Sequence, residues 1–382
     1  MKKLLALMLS LAMLLGLMLP GLAEAPTYKI AILTGTTSQG EEEFRAAERL
    51  QAENPGVVIT DTYPDNFSSE VETTMGKLMQ FAEDPDVKAI IMVQAVQGAT
   101  AAYTKIKETR PDILLIAGVP AEDPSDIAAA ADVVMGVDEI HGGEQIVETS
   151  KDWGAEVLVH YSFARHMGYE TIVARYNIMK EEAELAGIEL VMRDAPDPTG
   201  DAGMTGAQTF ILSDVPKVME EYAGKKVAFF TTNCGMQEAL QAAVLKEANA
   251  YYPLPCCPSP FHGFPSSLGL AIEPEEWGNV ESYLTKMAAK LDELGALGRV
   301  TTWPVGVNMS MILASYQYAK DWIENGGEKT NLDKLTASIA DVAGQTPQIS
   351  KYVDSNGNEV SNYYMIFFDA VDFHDYLEKA AN

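Results

Sequence analysis

Short apolar runs alternate with amphipathic stretches from residue 28 to about residue 250. The first run is 28–34, in which Lys29 is the only charge. Residues 41–54 follow with Phe44, Ala47 and Leu50 at helical spacing, and Pro55-Gly56 ends the stretch. The pattern predicts a strand over 57–63. A helix is predicted over 68–83, with Val71, Met75, Leu78, Met79 and Ala82 on one face. Strands are predicted over 89–93, 113–118 and 133–137, with a helix over 99–109 after the first of these. Such alternation is the signature of a parallel sheet covered by helices on both faces.

Near residue 138 the pattern restarts. A helix over 143–153 leads to a strand over 157–161, a long helix over 167–186 closed by Gly187, and a strand over 188–193. Residues 204–222 have helical periodicity, although Pro216 is expected to kink or split that helix. A strand over 227–231 and a helix over 236–248 complete the second series. Two successive βαβ series imply an α/β protein with two similar lobes. Beyond them, five prolines between 252 and 265 exclude a long helix. Helices are predicted over 280–294 and 308–324, and a strand over 299–303. Asn356-Gly357 between 351–353 and 363–368 predicts a hairpin.

The amino terminus departs from this rhythm. Lys2 and Lys3 precede an apolar stretch over 4–19, then Pro20-Gly21 and Ala23-Glu24-Ala25. This reads as a secretory signal cleaved after Ala25, too short to span a bilayer. The folded chain is therefore expected outside the cytoplasm, in the periplasm or secreted. No cysteine follows the apolar stretch, so a lipid anchor on an N-terminal cysteine is not expected. The remaining 357 or so residues suit two lobes, and 47% hydrophobic content supplies their cores. The net charge is −28, so binding of nucleic acid or anionic lipid is not expected.

Cys234, Cys256 and Cys257 are an odd set with no disulfide framework. They read as buried thiols, or as a vicinal Cys256–Cys257 bridge in an oxidising compartment. No metal, cofactor or catalytic constellation emerges, since the five histidines lack ligand spacing and Gly-x-Ser-x-Gly is absent.

In open parallel sheets ligands bind beyond the carboxyl ends of the strands. The residues there are Thr36, Asn66 and Phe67, then Gln94 and Gln97, then Asp138. The second series adds Phe163, Arg165 and His166, then Asp197 and Thr199, then Asn233. Amides, hydroxyls and aromatic faces suit a neutral polar molecule. Arg165 either forks onto a ligand or pairs with an acid inside its own lobe, and Ser38 or a neighbour either caps a helix or meets ligand.

Several of these stretches carry a family resemblance. Val137-Asp138-Glu139-Ile140-His141-Gly142-Gly143, Phe163-Ala164-Arg165-His166-Met167-Gly168, Thr231-Thr232-Asn233-Cys234-Gly235-Met236 and Thr302-Trp303-Pro304 resemble segments of type I periplasmic binding proteins. That superfamily includes ribose-type receptors and nucleoside-binding lipoproteins, and the resemblance spans most of 28–325. Cys234 replaces the usual aspartate of its turn, and the first-strand loop lacks the usual asparagine and paired aromatics. Ala195-Pro196-Asp197-Pro198-Thr199 and Cys256-Cys257-Pro258-Ser259-Pro260 resemble a branch described only as a domain of unknown function.

The resemblance implies crossings between lobes near 138, 265 and 302. Lobe one would then be 26–137 plus 266–301, and lobe two 138–265 plus 302–382. It also implies that Asn233 and Trp303 reach the ligand. The expected function is a monomeric, non-enzymatic solute-binding protein that passes a sugar- or nucleoside-like ligand to the permease of an ABC-type importer. A receptor for a membrane signalling protein is the alternative, and an enzyme on this fold a third. A repressor of the same fold needs an N-terminal DNA-binding helix pair, for which the signal leaves no room.

Overall fold

The computed structural model describes residues 27–273, 276–354 and 356–381, so the expected signal over 1–25 lies outside the described residues. The first series is β1 (Lys29–Thr34), α1 (Thr37–Glu53), β2 (Val58–Thr62), α2 (Val71–Glu83), β3 (Val87–Val93), α3 (Ala99–Thr109), β4 (Leu114–Gly118), α4 (Pro124–Ala130) and β5 (Val133–Val137). The second is α5 (Glu139–Asp152), β6 (Val157–Ser162), α6 (Glu170–Ala186), β7 (Glu189–Asp194), α7 (Gly203–Glu221), β8 (Val227–Thr231), α8 (Cys234–Val244) and β9 (Ala250–Tyr251). Then come α9 (Phe264–Leu268), α10 (Val280–Glu293), α11 (Val307–Asn325), α12 (Leu332–Ala343), β10 (Gln348–Val353), β11 (Glu359–Phe367) and α13 (Phe373–Ala381).

These strands form two sheets. One has seven strands in the order β10-β11-β5-β4-β3-β1-β2, and the other four in the order β7-β6-β8-β9. All pairs are parallel except the hairpin β10-β11. In β1, Ile30 and Ile32 enter one core cluster while Ala31 and Leu33 enter another, on the opposite face. Helices cover both faces, which is why the run is apolar throughout rather than alternating. Gly187 ends α6 in the left-handed region, at φ 73°, which a residue with a Cβ adopts only under strain.

The structure departs from expectation in several places. β11 pairs with β5, so 348–367 completes the first sheet rather than the second lobe. Conversely, α9 packs on α8, and the backbone at 299–301 is bonded to Tyr252 at the edge of the second sheet. The two return segments are thus exchanged relative to the expected lobes. Crossings occur at 138, at 302–306 and at 368–372, after which α13 packs on α10 through the Lys379–Glu281 ion pair. The expected strand over 299–303 reduces to one bridge, Val300 to Tyr252, because the Thr302 carbonyl is engaged by Val371 at the crossing.

Helix α7 runs through Pro216 unsplit. The carbonyl that loses its partner belongs to Leu212, a residue on the exposed side of the helix. On α1 the buried face holds Glu43, Ala46, Ala47 and Leu50, and Phe44 lies half-buried beside it. The helices α12 and α13 were not foreseen.

The crossings are tied to one another. Asp138 N–H donates to Ile366 O at 2.9 Å, and Val371 N–H to Thr302 O at 2.9 Å. Between them sits Trp303, 0% exposed, its indole N–H donating to Gln145 Oε1 at 2.8 Å. Its ring meets Phe367 and Phe368 edge-on, at 5.5 and 5.8 Å between centroids. Trp303→Ala is expected to lower unfolding free energy by about 3–5 kcal/mol, the usual cost of emptying a buried aromatic site, in denaturant titrations. A loss below about 1 kcal/mol would show that the crossing does not depend on this ring.

Candidate functional site

The loops at the carboxyl ends of the two sheets face each other and touch. Ser68 Oγ, after β2, donates to Thr199 Oγ1, after β7, at 2.9 Å. Gln97 Nε2, after β3, donates to Tyr169 Oη at 2.5 Å, after β6. The Arg165 guanidinium lies 5.7 Å from the Phe67 ring across the same interface. Ser259 of the second lobe donates its hydroxyl to the Glu42 carboxylate on α1.

Of the residues expected from the sequence, Phe67, Gln97, Arg165 and Thr199 make contacts across this interface. Thr36, Gln94 and Asn233 make theirs within their own lobes. Thr36 precedes α1 and donates its hydroxyl to Asp65. Asn66 is exposed, and Phe67 packs edge-on against Tyr63 with centroids 5.7 Å apart. Gln94 follows β3 at φ 56°, a left-handed backbone unusual for a residue with a side chain. Its amide donates to Glu43 Oε1 at 2.5 Å.

From the second lobe, Arg165 makes a bidentate fork onto Asp197, at 2.7 and 2.8 Å, and donates to Tyr169 Oη at 2.8 Å. The in-lobe ion pair is therefore formed, and the same guanidinium also lies 5.2 Å from the Phe163 ring. Burial alone would raise the Asp197 pKa, but the Arg165 fork and the Thr199 backbone N–H hold it below the ordinary aspartate value. His166 stacks on Phe163 with centroids 4.2 Å apart, and burial, then the Arg165 charge, push its pKa down to about 4. It is neutral at physiological pH. Asn233 Oδ1 caps α8 by accepting from Gly235 N–H at 2.9 Å.

Two expected residues lie elsewhere. Asp138 is buried as the N-cap of α5, accepting from His141 and Ser350. Trp303 fills the crossing. Asp138 directly follows β5 and Trp303 lies in the 302–306 segment, both where the chain passes between lobes.

The interface also holds residues that the sequence did not single out. Glu42 and Glu43 are 1% and 0% exposed. Glu42 Oε1 accepts the Asn308 backbone N–H at 3.1 Å, capping α11, whose N-cap Gly306 has no side chain to do so. Burial, then the Glu43 charge, raise the Glu42 pKa to about 8. The one available signal was their position, a core register on an amphipathic helix.

The three cysteines are free and buried together. Hydrogen bonds from Cys234 and Cys257, then the Arg175 charge, hold Cys256 well below the ordinary thiol value. Arg175 is itself buried, paired with Glu139 and 4.7 Å from the Phe230 ring. Among the described residues, no group of three or more His, Cys, Asp or Glu side chains is placed to hold a metal.

A family profile described as "Protein of unknown function (DUF3798)" matches residues 28–301. The chain belongs to the DUF3798 family. Two uncharacterised proteins of Treponema pallidum (strain Nichols) are similar to this DUF3798 chain. One is 34% identical over 180 residues, covering 45% of this chain and 81% of its own length. The other is 34% identical over 169 residues, covering 44% and 78%. Among solved structures, a putative transcriptional regulator from Clostridium difficile 630 superposes with a TM-score of 0.71 at 21% identity, covering 90% of this chain and 98% of that one. An ABC transporter periplasmic solute-binding protein from Actinobacillus succinogenes 130z with bound D-allose gives 0.52 at 15% identity, covering 78% and 93%. At such identities the likeness is one of fold. The DUF3798 chain has the two-lobed α/β fold of type I periplasmic binding proteins.

The Arg165–Asp197 fork sets an acid dependence. A carboxyl with a lowered native pKa stabilises the fold above its unfolded pKa, about 3.9, and loses that contribution as pH falls through the native value. Asp197→Asn is expected to cost about 1.5–3 kcal/mol at pH 7 and to flatten the decline of stability below about pH 4. Parallel acid-unfolding curves for the variant and the native protein would contradict this.

Proposed function

We propose that this protein is an exported receptor that captures a small polar molecule, sugar- or nucleoside-like, between its lobes and presents the closed form to the permease of an ABC-type importer. The observation that carries this reading is the meeting of strand-end loops from two parallel sheets, through Ser68–Thr199, Gln97–Tyr169 and Arg165–Phe67. In such sheets that end is the ligand side, and a hinge of three short crossings lets the lobes part. Thr36, Asn66, Phe67, Gln94, Phe163, Arg165 and Asn233 would meet the ligand, and Asp138 and Trp303 would support the hinge.

The fold likeness supports the same reading, because one similar structure is described as a solute-binding protein with bound D-allose. Another is described as a putative transcriptional regulator. The net charge of −28 weighs against a DNA-binding role here, since phosphate backbones repel such a surface.

A thermal-shift screen of sugars, nucleosides and small carboxylates tests the reading. A ligand held only by the native state at 100 times its Kd adds about 2.7 kcal/mol of stability. At least one class is expected to raise Tm and to shrink the radius of gyration in X-ray scattering. Arg165→Ala is expected to weaken binding by about 1–3 kcal/mol. A complete absence of shift and compaction would overturn the receptor reading.

A further inference from the structure

The Glu42–Glu43 pair lies at the start of α1, beyond the carboxyl end of β1, and the partners of both carboxylates are neutral. Glu42 accepts from the Ser259 hydroxyl and the Asn308 backbone. Glu43 Oε1 accepts the Gln94 amide at 2.5 Å and the Asn308 amide at 2.6 Å. Among the described residues no Lys, Arg or His pairs with either. A buried carboxylate without a cation costs several kcal/mol. Glu42, its pKa raised to about 8 by burial and then by the Glu43 charge, escapes this cost by holding its proton at neutral pH. Glu43 is left with its two amide partners.

Three polar atoms around Glu43 lack any partner: Glu43 Oε2, the Tyr63 hydroxyl and Asn308 Oδ1. Their residues are 0%, 1% and 0% exposed. The Asn308 amide is bonded to Glu43, and among the charges acting on the Tyr63 hydroxyl that of Glu43 is the strongest. Fifteen buried side-chain atoms of the described residues lack a partner, and two of these three, Glu43 Oε2 and Asn308 Oδ1, belong to side chains bonded to each other.

Their chemistry is specific. Two are pure acceptors, one of them on a carboxylate, and the third is a hydroxyl that can also accept. An alkylammonium brings three donors, no acceptor and a positive charge. A water molecule brings two donors and leaves the carboxylate unpaired. The backbone is shaped to this arrangement. Helix α1 is broken at Gly40, at φ −159° and ψ 80°, and a Cβ there would run into the Glu43 carboxylate and the Gln94 amide. Gln94 holds its own left-handed backbone to deliver that amide. The Tyr63–Phe67 pair supplies aromatic surface beside the site, suited to a cation.

We propose that Glu43, Tyr63 and Asn308 form the recognition point for a protonated primary amine, so that the ligand of the interlobe cleft is a small organic cation such as an amino sugar or diamine rather than a neutral sugar. This rests on the receptor reading and narrows its ligand class.

The test compares D-glucosamine with D-glucose, which carries a hydroxyl where glucosamine carries the ammonium, and adds putrescine and ethanolamine. Binding is read by calorimetry and by thermal shift at pH 7. At least one amine is expected to bind tenfold or more tighter than glucose, and Glu43→Gln to remove that preference. Tyr63→Phe deletes only the orphaned hydroxyl, and is expected to weaken the amine severalfold while sparing the fold. Should Glu43→Gln fail to fold, the comparison on the native protein and on Tyr63→Phe still decides. Tighter binding of glucose, or of any neutral compound from the broader screen, with no amine bound would overturn the cation inference and leave the receptor standing. Amine binding unchanged in both variants would overturn this site. Silence from amines and neutral compounds alike would overturn both readings.

Discussion

A parallel strand pair cannot be closed by a tight turn, because the chain must travel back before it can run the same way again. β11 lies parallel to β5, and the second lobe is inserted between them in sequence. That pairing obliges the chain to return at 302–306 and, with α13 built on α10, to leave again at 368–372. The first two crossings therefore bracket the inserted second lobe, and the third follows from α13 packing on α10. Trp303 and Gln145 then convert three passing segments into a joint with a packed centre.

The local elements were legible because their signals are local. Four buried residues in a row, Ile30 to Leu33, state a strand covered on both faces. Gly187 states a helix end, and Asn356-Gly357 states a hairpin turn. Lobe membership is different in kind. Nothing within 302–382 records that 359–367 will find β5, since any apolar strand of that length fits either sheet. Pro216 misled in the other direction: the helix continues through it, on a side where Leu212 is exposed, and that exposure is a tertiary fact.

The site was half legible for a related reason. Strand-end position pointed to Gln94, Phe67 and Arg165, but not to what each would touch. Arg165 finds Asp197 across 32 positions of sequence, and residue type alone leaves ligand and acid equally good partners. Glu43 was passed over because helical periodicity assigns buried registers to apolar residues, and Phe44 stood next to it. A carboxylate in a core register contradicts the pattern around it. Such contradictions are where function tends to lie, because folding alone does not call for them.

Gln94 shows what this arrangement asks of the fold. Left-handed backbone at a residue with a side chain costs on the order of 1–3 kcal/mol. Glycine adopts the same φ at little steric cost. Judged by conformational energy alone, glycine is the better residue at that strand end, and the surrounding core of β3 and β4 has to hold the glutamine in place. A redesign guided by backbone energy alone would choose glycine there first, and would remove the amide that orients Glu43.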